Sequence, residues 1–319
     1  MSGESRRLRV AIVGCGRMGT ERARACSVLD TSVIACVDAQ SSRADNLALQ
    51  HVGTVAVSDL NDLPWSELDA VFVCTPPSER FEIVNRAIQV GVSLMVEKPI
   101  GLSAVDGQGY ANAARKAGII NAVGYMNRCR ASVRRAREIL GRHSVVAVIC
   151  HWASKQYGVP WWSEPTKSGG PFNEQATHMV DLCRFLIGEI KSVEAIGGPT
   201  PPGNLGTTRV AVALQFSAGA VGTLCYTCEA PDKFIGFEAV TNAGRLRLEG
   251  WEFALSANSI DGQLCGPEPD VFKIETGAFL QAVADKNQLS VGCSFEDAVS
   301  TQTVVDDILE TIHAKEGNR

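Results

Sequence analysis

The chain has 319 residues, of which 45% are hydrophobic and 20% charged, and its formal net charge is −5. This composition is that of an ordinary globular protein and excludes disordered, collagen-like and coiled-coil chains. The acidic balance argues against a nucleic-acid partner, because neutralising phosphates requires a surplus of lysine and arginine. No apolar run reaches about 18 residues, so neither a membrane span nor a membrane partner is expected.

At roughly 150 residues per domain, the length predicts two domains. The sequence shows no export signal, so we expect a cytoplasmic protein whose 11 cysteines are reduced. Cys225 and Cys228 form the one closely spaced cysteine pair, but they fall in a strand-like stretch and would point to opposite faces. With no second pair and no histidine nearby, we expect no metal site.

The first part of the chain alternates short apolar runs with stretches of helical periodicity. Apolar runs that predict strands occupy residues 8–13, 32–37, 54–57, 70–74, 92–96 and 119–123. Helical spacing between them is found at, for example, 20–29, 78–90 and 104–117. Strands and helices in alternation predict a parallel sheet covered on both faces. We place this first domain at residues 1–124.

The pattern changes after residue 124. A helix over 131–140 precedes alternating runs at residues 144–154, 207–216, 220–229, 236–241 and 245–248. Regular alternation of apolar and polar residues predicts an antiparallel sheet with one solvated face. Two helices, over 271–285 and 295–313, end the chain. The predicted fold class is α/β, with a second domain over residues 125–319.

The loop after the first strand matches the G-x-G-x-x-G fingerprint of dinucleotide-binding domains. It consists of Gly14, Cys15, Gly16, Arg17, Met18 and Gly19. The first glycine allows the tight turn, the second lets the backbone approach a pyrophosphate, and the third allows close packing of helix on strand. The following helix N-terminus offers free N–H groups to the phosphates.

Asp38 ends the second predicted strand, 19 residues after Gly19. An acidic side chain at this place binds the ribose hydroxyls, which favours NAD over NADP as the cofactor. Arg43, five residues further on, is the residue that could instead meet a 2′-phosphate. Thr75 and Pro76 follow the fourth strand and are expected at the crevice outside the strand ends, where cofactors bind.

The glycine loop and three further segments together resemble the glucose–fructose oxidoreductase/inositol dehydrogenase (Gfo/Idh/MocA) family. The further segments are Val96-Glu97-Lys98-Pro99, Thr75-Pro76-Pro77 and residues 168–181. The resemblance implies a Rossmann domain, to whose cofactor side Glu97 and Lys98 would belong, and an α/β domain with an open, mainly antiparallel sheet. It further implies NAD(P)-dependent redox chemistry on sugars or cyclitols in a homo-oligomer, a dimer or a tetramer.

The same resemblance implies a catalytic group of Lys98, Glu174 and His178. Lys98 ends a strand at the crevice, where its ammonium group can stabilise the alkoxide that develops during hydride transfer. Imidazole titrates near neutral pH, so His178 is the general base. We expect a helix over 173–187, in which Glu174 and His178 share one face.

Three residues depart from the family pattern, one of them being Ala176, where the family often has glycine. The family often has Asp at the position of Glu174, so the role of this residue as orienting group or substrate ligand is less defined than that of His178. Many members have His at the position of Arg80, which we interpret as an altered cofactor-side or packing residue.

Four residues are candidates for the substrate side. Asn127 and Arg128 follow the sixth strand and could bind hydroxyls or an acidic group. Trp161 and Trp162 precede the glycine turn at residues 169–170 and would form an apolar wall against a sugar ring, or pack under the loop.

The sequence thus predicts an oxidoreductase that acts on a secondary alcohol or ketone of a sugar, cyclitol or related polyol. One alternative is an NAD-dependent glycosidase or lyase, which oxidises its sugar only transiently. A second is a non-enzymatic regulator that senses the cofactor, against which the presence of Lys98, Glu174 and His178 together argues.

Overall fold

The computed structural model describes residues 6–199, 206–260 and 270–316. Its first six strands are β1 (Arg9–Val13), β2 (Ser32–Val37), β3 (Val55–Val57), β4 (Ala70–Val73), β5 (Ser93–Glu97) and β6 (Asn121–Gly124). The helices between them are α1 (Arg17–Val28), α2 (Ser41–Gln50), α3 (Arg80–Val90) and α4 (Ala104–Ala117). These strands form one sheet in the order β3-β2-β1-β4-β5-β6. Every pairing in it is parallel, which confirms the predicted Rossmann-like sheet.

The described residues after β6 contain five further α-helices and seven strands. The helices are α5 (Ala131–Leu140), α6 (Pro165–Ser168), α7 (Thr177–Ile187), α8 (Val271–Asp285) and α9 (Phe295–Glu316). The strands are β7 (Val145–Ala153), β8 (Ile190–Gly197), β9 (Arg209–Phe216), β10 (Val221–Thr227), β11 (Phe234–Thr241), β12 (Arg245–Glu249) and β13 (Ala254–Asn258).

These seven strands form the second sheet, in the order β13-β12-β11-β7-β10-β9-β8. Its pairings are antiparallel except for the central pair β7 and β10, so the sheet is mixed. The sequence did not predict β8 and β13, which lie at the two edges and lack regular alternation. One face of the sheet is buried, as the strict alternation of exposed and buried residues along β9 shows. Helix α7 packs on the buried face of β7.

The described residues fall into two compact units. The first comprises those up to Gly101, together with Val105–Met126 and Asp270–Val299. The second comprises Leu102–Ala104, the described residues from Asn127 to 260, and those from Ser300 on. Residues 270–299 therefore lie with the first sheet, whereas the sequence placed them in the second domain. Phe279 of α8 explains this, because its ring packs edge-on against Phe72 of β4, with ring centroids 5.5 Å apart.

Both faces of the first sheet are buried, as expected for a parallel sheet. Val10, Ile12 and Phe72 are fully buried on one face, and Ala11 and Val71 on the other. Within the described ranges, no helix combines the length and apolar composition needed to cross a bilayer. The ten described cysteines are all free thiols. In the same part of the chain, no group of three or more His, Cys, Asp or Glu side chains is arranged to hold a metal ion.

Candidate active site

The three glycines of the β1–α1 loop have different surroundings. Gly14 has φ +91°, and a Cβ built on it would lie 2.8 Å from the carbonyl carbon of Cys74. A Cβ on Gly19 would lie 2.0 Å from the carbonyl oxygen of Gly14. At Gly16, however, φ is −75°, and a Cβ would meet no atom within 4 Å. The fold itself therefore requires glycine at positions 14 and 19, whereas the space beside Gly16 is open.

Asp38 directly follows β2 and lies beside this loop. Its Oδ2 accepts a hydrogen bond from the backbone N–H of Cys15 at 2.7 Å, and its Oδ1 accepts one from the N–H of Gln40 at 2.8 Å. An ionised carboxylate has about four acceptor positions, so two remain for ribose hydroxyls. Arg43 is exposed on α2, one turn further along the chain.

The thiol of Cys15 lies beneath the loop and is only 6% exposed. A hydrogen bond with the Cys36 thiol and burial raise its pKa well above the usual range of a cysteine. The thiol is therefore protonated at neutral pH. It adds no negative charge to a loop whose backbone N–H groups would bind phosphates.

The first unit fits a dinucleotide on these observations. No acidic side chain occupies the first turn of α1, so its N-terminal N–H groups face no competing anion from that turn. Arg17 is exposed and Met18 is half-buried at the start of the helix. Thr75 Oγ1 is buried and has no hydrogen-bond partner among the described residues. A buried hydroxyl without a partner is uncommon, and a bound ligand would supply one.

The open space at Gly16 leads to a test that separates cofactor binding from folding. Because a Cβ there touches no protein atom, Gly16→Ala should change the free energy of unfolding by less than about 1 kcal/mol. The methyl group would instead occupy the space of the pyrophosphate, so we expect NAD affinity to fall by at least about tenfold. Calorimetric titration with NAD and urea denaturation without cofactor measure the two effects.

The contrasting variant is Gly19→Ala, which should destabilise the protein because its Cβ would clash with the Gly14 carbonyl. If Gly16→Ala binds NAD as tightly as the wild type, the phosphate position inferred for this loop is wrong.

Arg80, which is 2% exposed, joins the ends of β4 and β5. Its Nε and Nη2 donate to the carbonyl oxygen of Thr75 at 3.1 and 2.9 Å. Its Nη1 donates to the carbonyl oxygens of Glu97 at 2.5 Å and of Pro99. The guanidinium group thus holds the backbone on both sides of Lys98. The sequence left two roles open for Arg80, that of a packing residue and that of a cofactor-side residue. The contacts observed here fix two turns at the crevice.

We expected Glu97 on the cofactor side, but its carboxylate is paired inside the protein. Its Oε1 accepts from Arg22 Nε at 2.9 Å and from Nη2 at 2.7 Å. Glu275 Oε2 accepts from the same Nη2 at 2.6 Å. All three side chains are at least nine-tenths buried. Burial alone would lower the pKa of Arg22, but the two carboxylates more than offset it and raise the pKa. The Glu97 carboxylate is therefore committed to an internal ion-pair network that joins α1, β5 and α8.

Lys98 follows the last residue of β5, and its side chain is half-buried. The peptide bond from Lys98 to Pro99 is cis. The lysine therefore lies at the carboxyl edge of the parallel sheet, together with Thr75 and the glycine loop. This is the edge at which ligands of Rossmann-like sheets bind.

The segment before α7 is not the regular helix that the sequence predicted. Phe172–Ala176 form a π-helical turn, and the α-helix begins at Thr177. The turn follows Gly169 and Gly170, whose φ values are +78° and +89°. The spacing argument that placed Glu174 and His178 on one face assumed α-helical geometry, which does not hold across this turn. Single π-helical turns are frequent at functional sites.

Glu174 and His178 are both buried, at 6% and 7% exposure. The indole Nε1 of Trp162 donates to Glu174 Oε2 at 3.2 Å. The His178 ring is stacked on that of Trp152 from β7, with centroids 5.5 Å apart and planes 11° apart. His178 of α7 is therefore held against β7, the central strand of the second sheet.

We expected Arg128 to bind hydroxyls or an acidic group of the substrate, but its guanidinium group is paired within the protein. Its Nε and Nη2 donate to Asp181 Oδ1 at 3.1 and 2.6 Å, and both side chains are buried. Its guanidinium also lies over the Phe185 ring, 5.2 Å from the centroid. An arginine–carboxylate pair of this kind fixes the orientation of α7, because Asp181 lies on this helix, three residues after His178.

The two tryptophans differ in position. Trp162 is fully buried and packs against Tyr157 under the loop, which is the second of the two expectations for it. Trp161 is half-buried at the edge of the same core. Asn127 is buried at 2% exposure, and its Nδ2 has no hydrogen-bond partner within the described part of the chain.

Sequence reasoning missed Trp152, whose ring stacks on that of His178, and Trp251, which contacts Trp152 edge-on. Trp152 is an inward-facing member of the alternating run 144–154, and this alternation was the available signal. No sequence signal indicated Trp251, which lies in a turn between β12 and β13.

Two family profiles match the chain. The profile described as oxidoreductase family, NAD-binding Rossmann fold, matches residues 8–125. The profile of the GFO/IDH/MocA C-terminal domain matches residues 134–247. Among solved structures, levoglucosan dehydrogenase in complex with NADH has a TM-score of 0.87 at 20% identity, over 97% of this chain and 98% of that one. At this identity the likeness supports the fold alone.

Two curated relatives are similar to part of the chain. A myo-inositol dehydrogenase of Streptomyces leeuwenhoekii is 28% identical over 191 residues, which cover 59% of this chain and 58% of the relative. The 2,7-anhydro-N-acetylneuraminate hydratase of Escherichia coli (strain K12) is 29% identical over 225 residues, covering 67% and 60%. The chain thus spans about three fifths of the length of these relatives. Because the two profiles together match more than half of its residues, the chain belongs to the Gfo/Idh/MocA oxidoreductase family.

Proposed function

We propose that the protein is a dehydrogenase or reductase that exchanges hydride between a nicotinamide cofactor and a secondary alcohol or ketone of a sugar, cyclitol or related polyol. The observation that carries the proposal is the buried His178, held against Trp152 immediately after a π-helical turn. A titratable imidazole fixed in this way suits general acid–base chemistry. The myo-inositol dehydrogenase among the similar proteins supports this substrate class.

For the cofactor, we propose NAD rather than NADP. Two backbone N–H groups hold the carboxylate of Asp38 beside the glycine loop. A carboxylate there favours ribose hydroxyls and repels a 2′-phosphate, whereas Arg43 on α2 is exposed. The residues proposed to hold NAD are Gly14, Cys15, Gly16, Arg17, Met18, Gly19, Asp38, Thr75, Pro76 and Lys98. When bound, the nicotinamide ring supplies hydride transfer at its C4.

The proposed roles of the chain's own residues follow from their chemistry. His178 removes the proton of the substrate hydroxyl during oxidation and returns it during reduction. The ammonium group of Lys98 donates a hydrogen bond to the substrate oxygen and stabilises its developing negative charge. Glu174, which accepts from the Trp162 indole, supports His178 electrostatically. Asn127 and Trp161 remain proposed substrate-side residues, whereas Arg128 orients α7.

A panel of sugars, cyclitols and polyols, assayed with NAD and with NADP by the absorbance of the reduced cofactor, tests this function. We expect net reduction with at least one substrate, and a preference for NAD of at least about tenfold. The hydratase among the relatives is the reason to test also for the alternative, an enzyme that oxidises its sugar only transiently. Product formation without net reduced cofactor would replace the proposed dehydrogenase by that glycosidase or lyase.

We further propose a homo-oligomer, a dimer or tetramer, in the cytoplasm. On the solvent face of the second sheet, Ile149, Val221 and Phe234 are more than half exposed. A second copy of the chain would cover these apolar side chains. Free thiols at all ten described cysteines agree with a reducing compartment.

A further inference from the structure

The side chain of Gln175, within the π-helical turn, is fully buried and is bonded to three other residues of the second unit. Its Oε1 accepts hydrogen bonds from Ser154 Oγ at 2.8 Å and from the Tyr226 hydroxyl at 3.1 Å. Its Nε2 donates to the carbonyl oxygen of Lys155 at 3.2 Å. A carbonyl oxygen can only accept, so the Lys155 contact fixes which end of the amide faces the two hydroxyls.

The partners of Gln175 surround the position of Trp152. Ser154 lies two residues after Trp152, just beyond the end of β7, and Tyr226 is the residue of β10 that pairs with Trp152 in the parallel register. Two contacts therefore join the same two segments. Gln175 binds Ser154 beyond the strand, and His178, three residues after Gln175, stacks on Trp152 within it. Because the chain between these contacts is short on both sides, the first contact restrains the geometry of the second.

The π-helical turn depends on contacts of this kind, because it holds one residue more than the α-helical turn that it replaces. If Phe172–Ala176 became α-helical, the residues before α7 would rotate by about 100° relative to His178. The hydrogen bonds of Gln175 would then be lost. So would that of its neighbour Asn173, whose Oδ1 accepts from Gln302 Nε2 of α9 at 2.7 Å. Both amide side chains of the turn are buried, so their lost partners would leave unpaired polar groups.

We propose that Gln175 is a positioning residue for the proton transfer assigned to His178. It holds the turn in its π-helical form and thereby keeps the imidazole ring on Trp152 in the orientation that the reaction requires. The inference rests on the proposed function and deepens it. Gln175 acts through the turn, since both acceptor positions of its amide oxygen are occupied by hydroxyl groups of the protein.

The variant Gln175→Met tests this role, because it keeps the length of the side chain but removes the amide. We expect kcat to fall by about 10–100-fold, since a displacement of about 1 Å at a catalytic group can cost about 10²-fold. The affinity for NAD, measured by titration calorimetry, should stay within about threefold of the wild type, because the residues proposed to hold NAD lie in the first unit. Ser154→Ala removes one of the three bonds and should lower kcat by about three- to tenfold. It carries the test if Gln175→Met does not fold.

The His178 ring gives a second readout that needs no substrate. It is stacked on the Trp152 indole, so its carbon-bound protons carry a ring-current shift in NMR spectra. The signals are assigned by their loss in His178→Gln. In Gln175→Met, and to a smaller extent in Ser154→Ala, we expect them to move towards the positions of an unstacked histidine. A hydrogen bond that only stabilises the fold would not move these signals.

Thr241→Val is the matched control. It removes a buried hydroxyl that donates to the carbonyl oxygen of Gly244 at 3.0 Å, between β11 and β12 of the same unit. The variant should lower the stability but leave kcat and the His178 signals unchanged. Wild-type kcat, or unshifted His178 signals, in folded Gln175→Met would overturn the proposal, as would the same result in Ser154→Ala if Gln175→Met does not fold. If the wild type shows no dehydrogenase activity, the proposed function fails, and the His178 signals alone decide whether Gln175 positions the ring.

Discussion

Replacing His178 with alanine is expected to lower kcat by about 10²–10⁴-fold, which is the usual contribution of a general base. The expectation rests on the position of the ring. It is buried on α7, directly after the π-helical turn, and is stacked on Trp152. No bulk water molecule can occupy this place with the same orientation, so the substrate hydroxyl would lose its fixed proton acceptor. Turnover is measured with the best substrate found in the polyol panel.

Two controls separate this effect from loss of structure. His313→Ala removes an exposed histidine from α9 and should leave kcat unchanged. Thermal denaturation shows whether His178→Ala is folded, and His178→Gln restores most of the volume of the ring but cannot accept a proton near neutral pH. Full turnover in a folded His178→Ala protein would remove the histidine from the mechanism, whereas low turnover in both variants supports its role.

Several elements of both units could be predicted from local sequence pattern. The run predicted at 32–37 is strand β2, and the helix predicted at 131–140 is α5. Both are continuous periodic segments with clear ends, and such segments need no distant partner to be recognised. The glycine loop could also be predicted, because its requirements are local: a positive φ at Gly14 and close packing at Gly19.

The pairing of charged residues could not be predicted, because it depends on contacts between distant parts of the chain. Glu97 pairs with Arg22, 75 residues away, and Arg128 pairs with Asp181, 53 residues away. Each charged residue lies beside a motif and therefore looked like a ligand-binding residue. Burial decides otherwise, since a buried charge needs a charged or hydrogen-bonding partner, and in both cases the fold supplies one.

The sequence placed residues 270–299 in the second domain, not in the first unit, for a similar reason. An amphipathic helix such as α8 reveals that it has a buried face, but not against which sheet the face packs. The packing of α8 on the first sheet is fixed by two contacts. The ring of Phe279 packs on that of Phe72, and Glu275 pairs with Arg22 in the ion-pair network. The π-helical turn is likewise invisible to periodicity, because a stretch of five residues is too short to define a period.

Replacing Lys98 with methionine is expected to lower kcat by about 10²–10³-fold, the typical effect of removing one donor that stabilises a developing oxyanion. Methionine keeps the length and apolar stem of the side chain and removes only the ammonium group. The backbone should not move, because Arg80 holds the carbonyl groups of the residues on both sides of position 98. The affinity for NAD, measured by titration calorimetry, should therefore stay within about threefold of the wild type.

The Lys98→Met variant is informative because kcat and the affinity for NAD are measured separately. A loss of kcat at constant NAD affinity means that the ammonium group acts in the transition state, since a group that only binds would change affinity and leave kcat. Lys116→Met, on the exposed face of α4, is the matched control and should change neither quantity. If Lys98→Met instead weakens NAD binding and retains full kcat, Lys98 is a cofactor-binding residue. The charge that stabilises the substrate oxygen must then come from another group.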